Sequence, residues 1–251
     1  MVGHALYAPR VTVDAPQTTV RLGSKYGGWD FLEKPGLKDS VILSCGLGED
    51  ASFDVEFSKK YGATVLLVDP TPRAVEHYRK LVERLGKKAE SDYVAGGNQP
   101  VEAYDMEGLS ADSFKLIEKA LWNKEETLKF FMPSQKGFVS HSLVNVSNNY
   151  RQDTAYLEVQ GITMETLLKA HGVEKLPLMK MDIEGAEITV LNDMLDKNIL
   201  PDQLLVEFDG LNNPSRRSRD EFEQVDSRLR KVGYGLVKRD EANFLYVRNS
   251  S

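Results

Sequence analysis

One cysteine, Cys45, stands in 251 residues. A single thiol closes no disulfide framework within the chain and offers no cluster for zinc, which points to a reducing compartment, and the residue reads as a small hydrophobe buried in a strand. No apolar stretch approaches the roughly eighteen residues of a membrane span, and the opening MVGHALYAPR has no apolar core of a targeting sequence. Excess positive charge is missing too. With 38 acidic against 32 basic side chains the formal net charge is −6, which repels a phosphate backbone. Neither an internal repeat nor a low-complexity segment breaks the chain. A disulfide scaffold, a membrane protein and a nucleic-acid binder are thereby set aside, and a cytoplasmic chain is expected, with its oligomeric state left open.

What is present is a rhythm of buried strands and amphipathic helices. The chain is 41% hydrophobic, enough to close one large α/β core, so residues 1–251 read as a single domain. SVILSCG is a short apolar run ending in glycine; SFDVEFSKKYG spaces Phe53, Phe57 and Tyr61 along one helical face; ATVLLVD is a second buried strand. RAVEHYRKLVERLG predicts a helix stopped by Gly86, and residues 87–113 a polar excursion. FKLIEKALW and TLKFFMP read as strands joined like a hairpin through NKEE. A helix opened by Thr163, the strand LPLMKMD, the helix EITVLNDMLDKN, the strand DQLLVEFD and the helix SRDEFEQVDSRLRKVGY follow. GLVKRD and NFLYVRN then form an antiparallel pair. The fold class this predicts is α/β, a doubly wound and mostly parallel sheet with an antiparallel C-terminal hairpin and one reversed strand at its edge.

In such a sheet a ligand lies beyond the carboxyl ends of the strands, beside the first one. Gly46 and Gly48 fall there, Gly46 able to take positive φ in a tight turn and Gly48 leaving the backbone open to close approach. Asp69 ends the next strand, where an acid accepts hydrogen bonds from ribose hydroxyls. The residues therefore imply a cofactor with a nucleoside. Gly46, Gly48 and Ala51 also satisfy a loose dinucleotide spacing, so NAD(P) is an alternative. Glu49 and Asp50 oppose it, because a pyrophosphate wants uncancelled positive potential at the helix start, whereas a cationic sulfonium tolerates acids. A turn that merely needs glycine is the plainest alternative.

ILSCGLGEDASFD, VDPTP, GFVSHSLVN and LMKMDIEGAEITVL together resemble the FkbM-type family of S-adenosylmethionine-dependent methyltransferases, from about Arg21 to Asn249, with KMDIEGAE the most specific piece. The resemblance implies a seven-stranded class I methyltransferase sheet and transfer of a methyl group from S-adenosylmethionine, most often to oxygen of a small molecule or glycan. Gly46, Gly48, Glu49, Asp69 and the adjoining Pro70 are the implied cofactor contacts. RLGSKYGGWDF resembles a glycine-rich segment in part of the family, so residues 1–40 are expected as an arm closing over the cofactor, with Gly28 and Trp29 in contact. Trp29 reads equally as a buried anchor.

Asp182 and Glu184 follow LMKM, where the resemblance places the transferred methyl group, and Glu187 lies in the next helical turn. Acids there also stabilise a helix dipole, by about 0.3–1 kcal/mol each, and that is the reading for Glu187. Glu207 and Asp209 end the following strand. Converging carboxylates either hold a divalent cation or raise one another's pKa and leave a base near neutrality; no residue is assigned to a metal. His141, in VSHSL, titrates near neutral pH and is the second candidate base, while His4, His77 and His171 read as structural or solvated. The catalytic candidates are thus Asp182, His141 and Glu184. A small-molecule or glycan acceptor is expected, with no nucleic-acid or membrane partner. A nicotinamide oxidoreductase and a non-catalytic cofactor-binding subunit are the rival readings.

Overall fold

The structure, a computed structural model, describes residues 7–14, 17–131 and 156–249. Strands β1 (Val20–Leu22) and β2 (Trp29–Phe31) pair antiparallel in the N-terminal arm. Then follow β3 (Val41–Cys45), α1 (Ser52–Tyr61), β4 (Thr64–Val68), α2 (Pro72–Val82) and β5 (Phe114–Ile117). The short strands β6 (Ala120–Leu121), β7 (Thr127–Phe131) and β8 (Tyr156–Ile162) precede α3 (Met164–Ala170), β9 (Met179–Met181) and α4 (Glu187–Asp196). The chain closes with β10 (Gln203–Glu207), α5 (Arg216–Lys231), β11 (Tyr234–Asp240) and β12 (Asn243–Arg248).

The main sheet has seven strands in the order β5-β4-β3-β9-β10-β12-β11. All neighbours from β5 to β10 pair parallel. The chain runs outward from β3 through β4 to β5 and returns to build the other half from β9, so the order reverses between β3 and β9, and a crevice opens there at the carboxyl ends. The predicted doubly wound sheet is therefore present, with one correction. The reversed strand is not at the edge: β12 lies between β10 and β11 and pairs antiparallel with both. Phe244, Leu245, Tyr246 and Val247 are all buried, as an interior strand covered on both faces requires, whereas β11 ends in the polar Lys238, Arg239 and Asp240 suited to an edge.

The hairpin through NKEE is also corrected. β6 and β7 do not pair; β8 lies between them, parallel to β6 and antiparallel to β7, in a separate three-stranded sheet. The half-buried YLEVQGI is the partner both need, and without it the two short strands had only each other.

Side chains alternate across each strand and feed two apolar layers. Leu43, Cys45, Met179 and Met181 face the layer under α4 and α5. Ile42 and Leu178 face the other, under α1, where Phe31, Phe53, Phe57 and Tyr61 form a chain of ring contacts with neighbouring centroids 4.8–6.1 Å apart. Thr163 caps α3 as expected, accepting from the N–H of Thr166. Among the described residues no helix is long and apolar enough to cross a membrane.

Candidate active site

Two hydrogen bonds carry the sheet pattern past the strand ends. The Gly46 N–H donates to the Val68 carbonyl at 3.0 Å, and the Asp182 N–H donates to the Cys45 carbonyl at 3.0 Å. They bring Gly46, at φ +87°, so close to Asp182 that a β-carbon on Gly46 would overlap the Asp182 carbonyl oxygen. Gly48, at φ +54°, donates its N–H to Asp69 Oδ2 at 2.9 Å. Oδ1 of Asp69 accepts from the N–H and hydroxyl of Thr71, at 2.8 and 2.7 Å. Asp69, 6% exposed, thus pins the glycine loop to the start of α2. With about two acceptor sites per carboxylate oxygen, Oδ1 is filled and Oδ2 keeps one for a ligand.

Above the loop lies a cavity of about 970 Å³, its open mouth included. Its wall contains five acids, Glu49, Asp50, Asp69, Asp182 and Glu184, against two lysines, Lys119 and Lys180. Gly46, Gly48 and Pro70 line it, and Trp29, Leu121 and Phe130 supply apolar surface. Trp29 is 7% exposed, as a buried anchor is, and still forms part of the wall. Gly28 is a correction. Tyr26 and Gly27 line the cavity, whereas half-buried Gly28 lies against the carbonyl oxygens of Ser24 and Leu22, where a β-carbon would meet them at 2.5 and 2.8 Å.

The arm is fastened here by Ser24 and Asp50. The Ser24 hydroxyl donates to Asp50 Oδ2 at 2.7 Å and accepts from the N–H groups of Tyr26 and Gly27, at 3.1 and 2.8 Å. The Ser24 N–H donates to Ser52 Oγ at 2.7 Å, and Asp50 Oδ1 accepts from the Ser52 N–H at 2.9 Å. In the sequence Asp50 stands out only as an acid hostile to phosphate, and Ser24 does not stand out at all.

Asp182 is half-buried at the end of β9, and burial among further carboxylates pushes its pKa up to about 7, against the lowering pull of Lys180. Glu207 and Asp209 contribute to that rise without lining the cavity, and Glu207 Oε1 accepts from Asn212 Nδ2 at 2.9 Å. Among the described residues no group of three or more His, Cys, Asp or Glu side chains is placed to hold a metal ion. Glu184 lines the cavity at φ +53°, a left-handed backbone that costs a non-glycine residue roughly 1–2 kcal/mol. Glu187 is 2% exposed, opens α4 and accepts from the Gly185 N–H at 2.9 Å; burial raises its pKa to about 8. His141 lies outside the described residues. His77 is buried with Nε2 2.8 Å from the Tyr104 hydroxyl, and burial lowers its pKa to about 4.

Lys180 is a further residue of the site that no spacing rule marks. Its signal in the sequence is a charged side chain inside the apolar strand LPLMKMD. Its Nζ donates to the Gly46 carbonyl at 2.6 Å and lies 5.7 Å from the centre of the Trp29 ring.

Residues 44–236 match the family model described as the methyltransferase FkbM domain. No curated protein matches the chain in sequence. Among solved structures, the SAH-bound methyltransferase PaMTH1 of Podospora anserina aligns with 10% identity over 85% of this chain and 72% of its own, at a TM-score of 0.44.

Proposed function

The chain belongs to the FkbM methyltransferase family, which uses S-adenosylmethionine, and from that premise we propose that it methylates a hydroxyl oxygen of a neutral small molecule or glycan. The donor set suits the cofactor. Gly46 lets the loop turn tightly against Asp182, Gly48 leaves open space where a side chain would stand, and the remaining acceptor site of Asp69 suits a ribose hydroxyl. The acidic wall suits a sulfonium and an ammonium better than a pyrophosphate, which weighs against the nicotinamide reading. In this reading Gly46, Gly48, Glu49, Asp69, Pro70 and Trp29 hold the cofactor, and the arm fastened by Ser24 and Asp50 covers it.

S-adenosylmethionine, when bound, supplies an electrophilic methyl group. The protein's share is to align an acceptor with it, worth about 7–11 kcal/mol in well-oriented systems, and to take the hydroxyl proton, worth roughly 10²–10⁴-fold. Asp182 carries the reading. A carboxyl in the cavity wall whose pKa burial and neighbouring carboxylates push up to about 7 is basic enough to receive a proton near neutral pH, which an ordinary aspartate is not. Glu184 offers a second acceptor for substrate hydroxyls. His141 stays a candidate for the same proton from outside the described residues. The retained acid argues against a non-catalytic subunit. The single buried thiol fits a cytoplasmic enzyme.

The test is methyl transfer from labelled S-adenosylmethionine to a panel of neutral polyols and sugars, their phosphorylated counterparts, nucleic acid and protein. Label on the neutral hydroxyl compounds supports the proposal. Label confined to nitrogen, to nucleic acid or to protein side chains defeats the acceptor reading and leaves the cofactor in place.

A further inference from the structure

Lys180 is the basic group that the fold has placed most deliberately. It sits mid-strand between Met179 and Met181, which face the opposite layer, so its side chain runs under α1 to the cavity floor. It is 4% exposed, and an ammonium taken that far out of water is costly unless its donors and its charge are met. Only one of its three donors has a hydrogen-bond partner among the described residues, the Gly46 carbonyl. The face of Trp29 adds a cation–π contact. Asp54 and Asp182 both feel its charge, but neither is hydrogen-bonded or ion-paired to it among the described residues. The ammonium therefore borders the cavity with donors to spare.

The order of strands says what it would meet. Along the cavity floor come Lys119 after β5, Asp69 after β4, Gly46 after β3 and Lys180 in β9. Asp69 holds one end of the three-residue glycine loop through the Gly48 N–H, and Lys180 holds the other through the Gly46 carbonyl. An acceptor for sugar hydroxyls and a cation thus stand at opposite ends of one short cradle. A molecule with a ribose at one end and an α-carboxylate at the other matches this polarity. In a wall of five acids that carboxylate would be repelled nearly everywhere else, and Lys119 is exposed and lies beyond Asp69, on the wrong side.

We propose that Lys180 anchors the amino-acid carboxylate of the cofactor while its bond to Gly46 fixes the loop on which the cofactor lies. This rests on S-adenosylmethionine being the ligand of the cavity.

Calorimetry with three probes on the wild-type chain, Lys180→Met and Lys180→Arg tests it: S-adenosylhomocysteine, its decarboxylated analogue, and 5′-methylthioadenosine, which lacks the amino-acid portion. Wild type should bind S-adenosylhomocysteine at least tenfold tighter than the decarboxylated analogue. Removing one partner of a buried charge pair costs enough that Lys180→Met should lose about 30-fold or more for S-adenosylhomocysteine. Its affinity for the other two probes should fall less, by the share due to the loop alone, and Lys180→Arg should keep most of the discrimination. Equal losses for all three probes would overturn the carboxylate anchor and leave Lys180 only as a support for the glycine loop. If Lys180→Met does not fold, wild type decides: no discrimination between the carboxylated and decarboxylated probes overturns the anchor. Failure of wild type to bind any of the three removes the cofactor reading itself, a result distinct from loss of discrimination.

Discussion

Gly46 and Asp182 touch through their backbones, so that the turn after β3 and the turn after β9 form one surface with no room for a β-carbon on Gly46. Gly46→Ala must both push back the Asp182 carbonyl and hold φ +87° with a side chain, and should cost more than about 2 kcal/mol of stability along with cofactor binding. Gly48→Ala is the control. It has the milder φ +54° and nothing within 4 Å of the added carbon, so it should cost only about 1 kcal/mol. Urea unfolding of both variants beside titration with S-adenosylhomocysteine measures the contrast; equal costs would refute the contact.

Asp69→Ala should weaken cofactor binding by about 1.5–3 kcal/mol, the worth of a hydrogen bond to a charged group, or roughly 10–150-fold. Because the same carboxylate holds Gly48 and Thr71, some stability should go with it. Asp69→Asn, which keeps acceptor capacity on one oxygen, should fall between. Unchanged affinity in Asp69→Ala would move the ribose elsewhere.

Much of this layout could be read from residues alone, and the parts that could not share a cause. Phe53, Phe57 and Tyr61, the two buried strands around them and the acids after LMKM each announce themselves by local pattern, and each is where that pattern puts it. What escaped depends on partners remote in sequence. β6 and β7 are joined by β8, which begins 25 residues after β7 ends, so proximity suggested a hairpin that does not form. Ser24 meets Asp50 across 26 positions and Lys180 meets Gly46 across 134, and no spacing rule links such pairs. Gly28 and Gly27 are indistinguishable in the string GG; only the turn around Ser24 decides which one faces the cavity.

Ser24→Ala removes the hydroxyl that ties Asp50 to two backbone N–H groups of the arm, and buried groups left unpaired cost about 1–3 kcal/mol. The arm should then open locally while the sheet stays folded. Limited trypsin digestion should cut after Lys25 faster in the variant than in wild type, with S-adenosylhomocysteine slowing the cut in both. An unchanged digestion rate would mean that β1 and β2 hold the arm without the serine.

The two raised acids set opposite trends for activity and stability. Asp182 and Glu187 are pushed up to about 7 and about 8 from ordinary values of 3.8 and 4.5. Between the ordinary and raised values the folded chain binds more protons than the unfolded one, so stability falls as pH rises through that window and levels off above it. His77 works the other way, since its pKa is lowered to about 4 and the unfolded chain binds the extra proton between pH 4 and 6.5, where stability gained with rising pH offsets the acids. From pH 6.5 to 8 His77 no longer contributes, and the wild-type melting temperature should decline. In Asp182→Asn with Glu187→Gln that decline should flatten. The methyl-transfer rate should climb over the same interval with a midpoint near 7, as Asp182 loses the proton it must lack to act as a base. Asp182→Asn alone should abolish that climb and lower single-turnover transfer by about 10²–10⁴-fold, leaving S-adenosylhomocysteine affinity near wild type. A variant that keeps both its rate and its pH midpoint would pass the base to another group, with His141→Asn the next substitution to make.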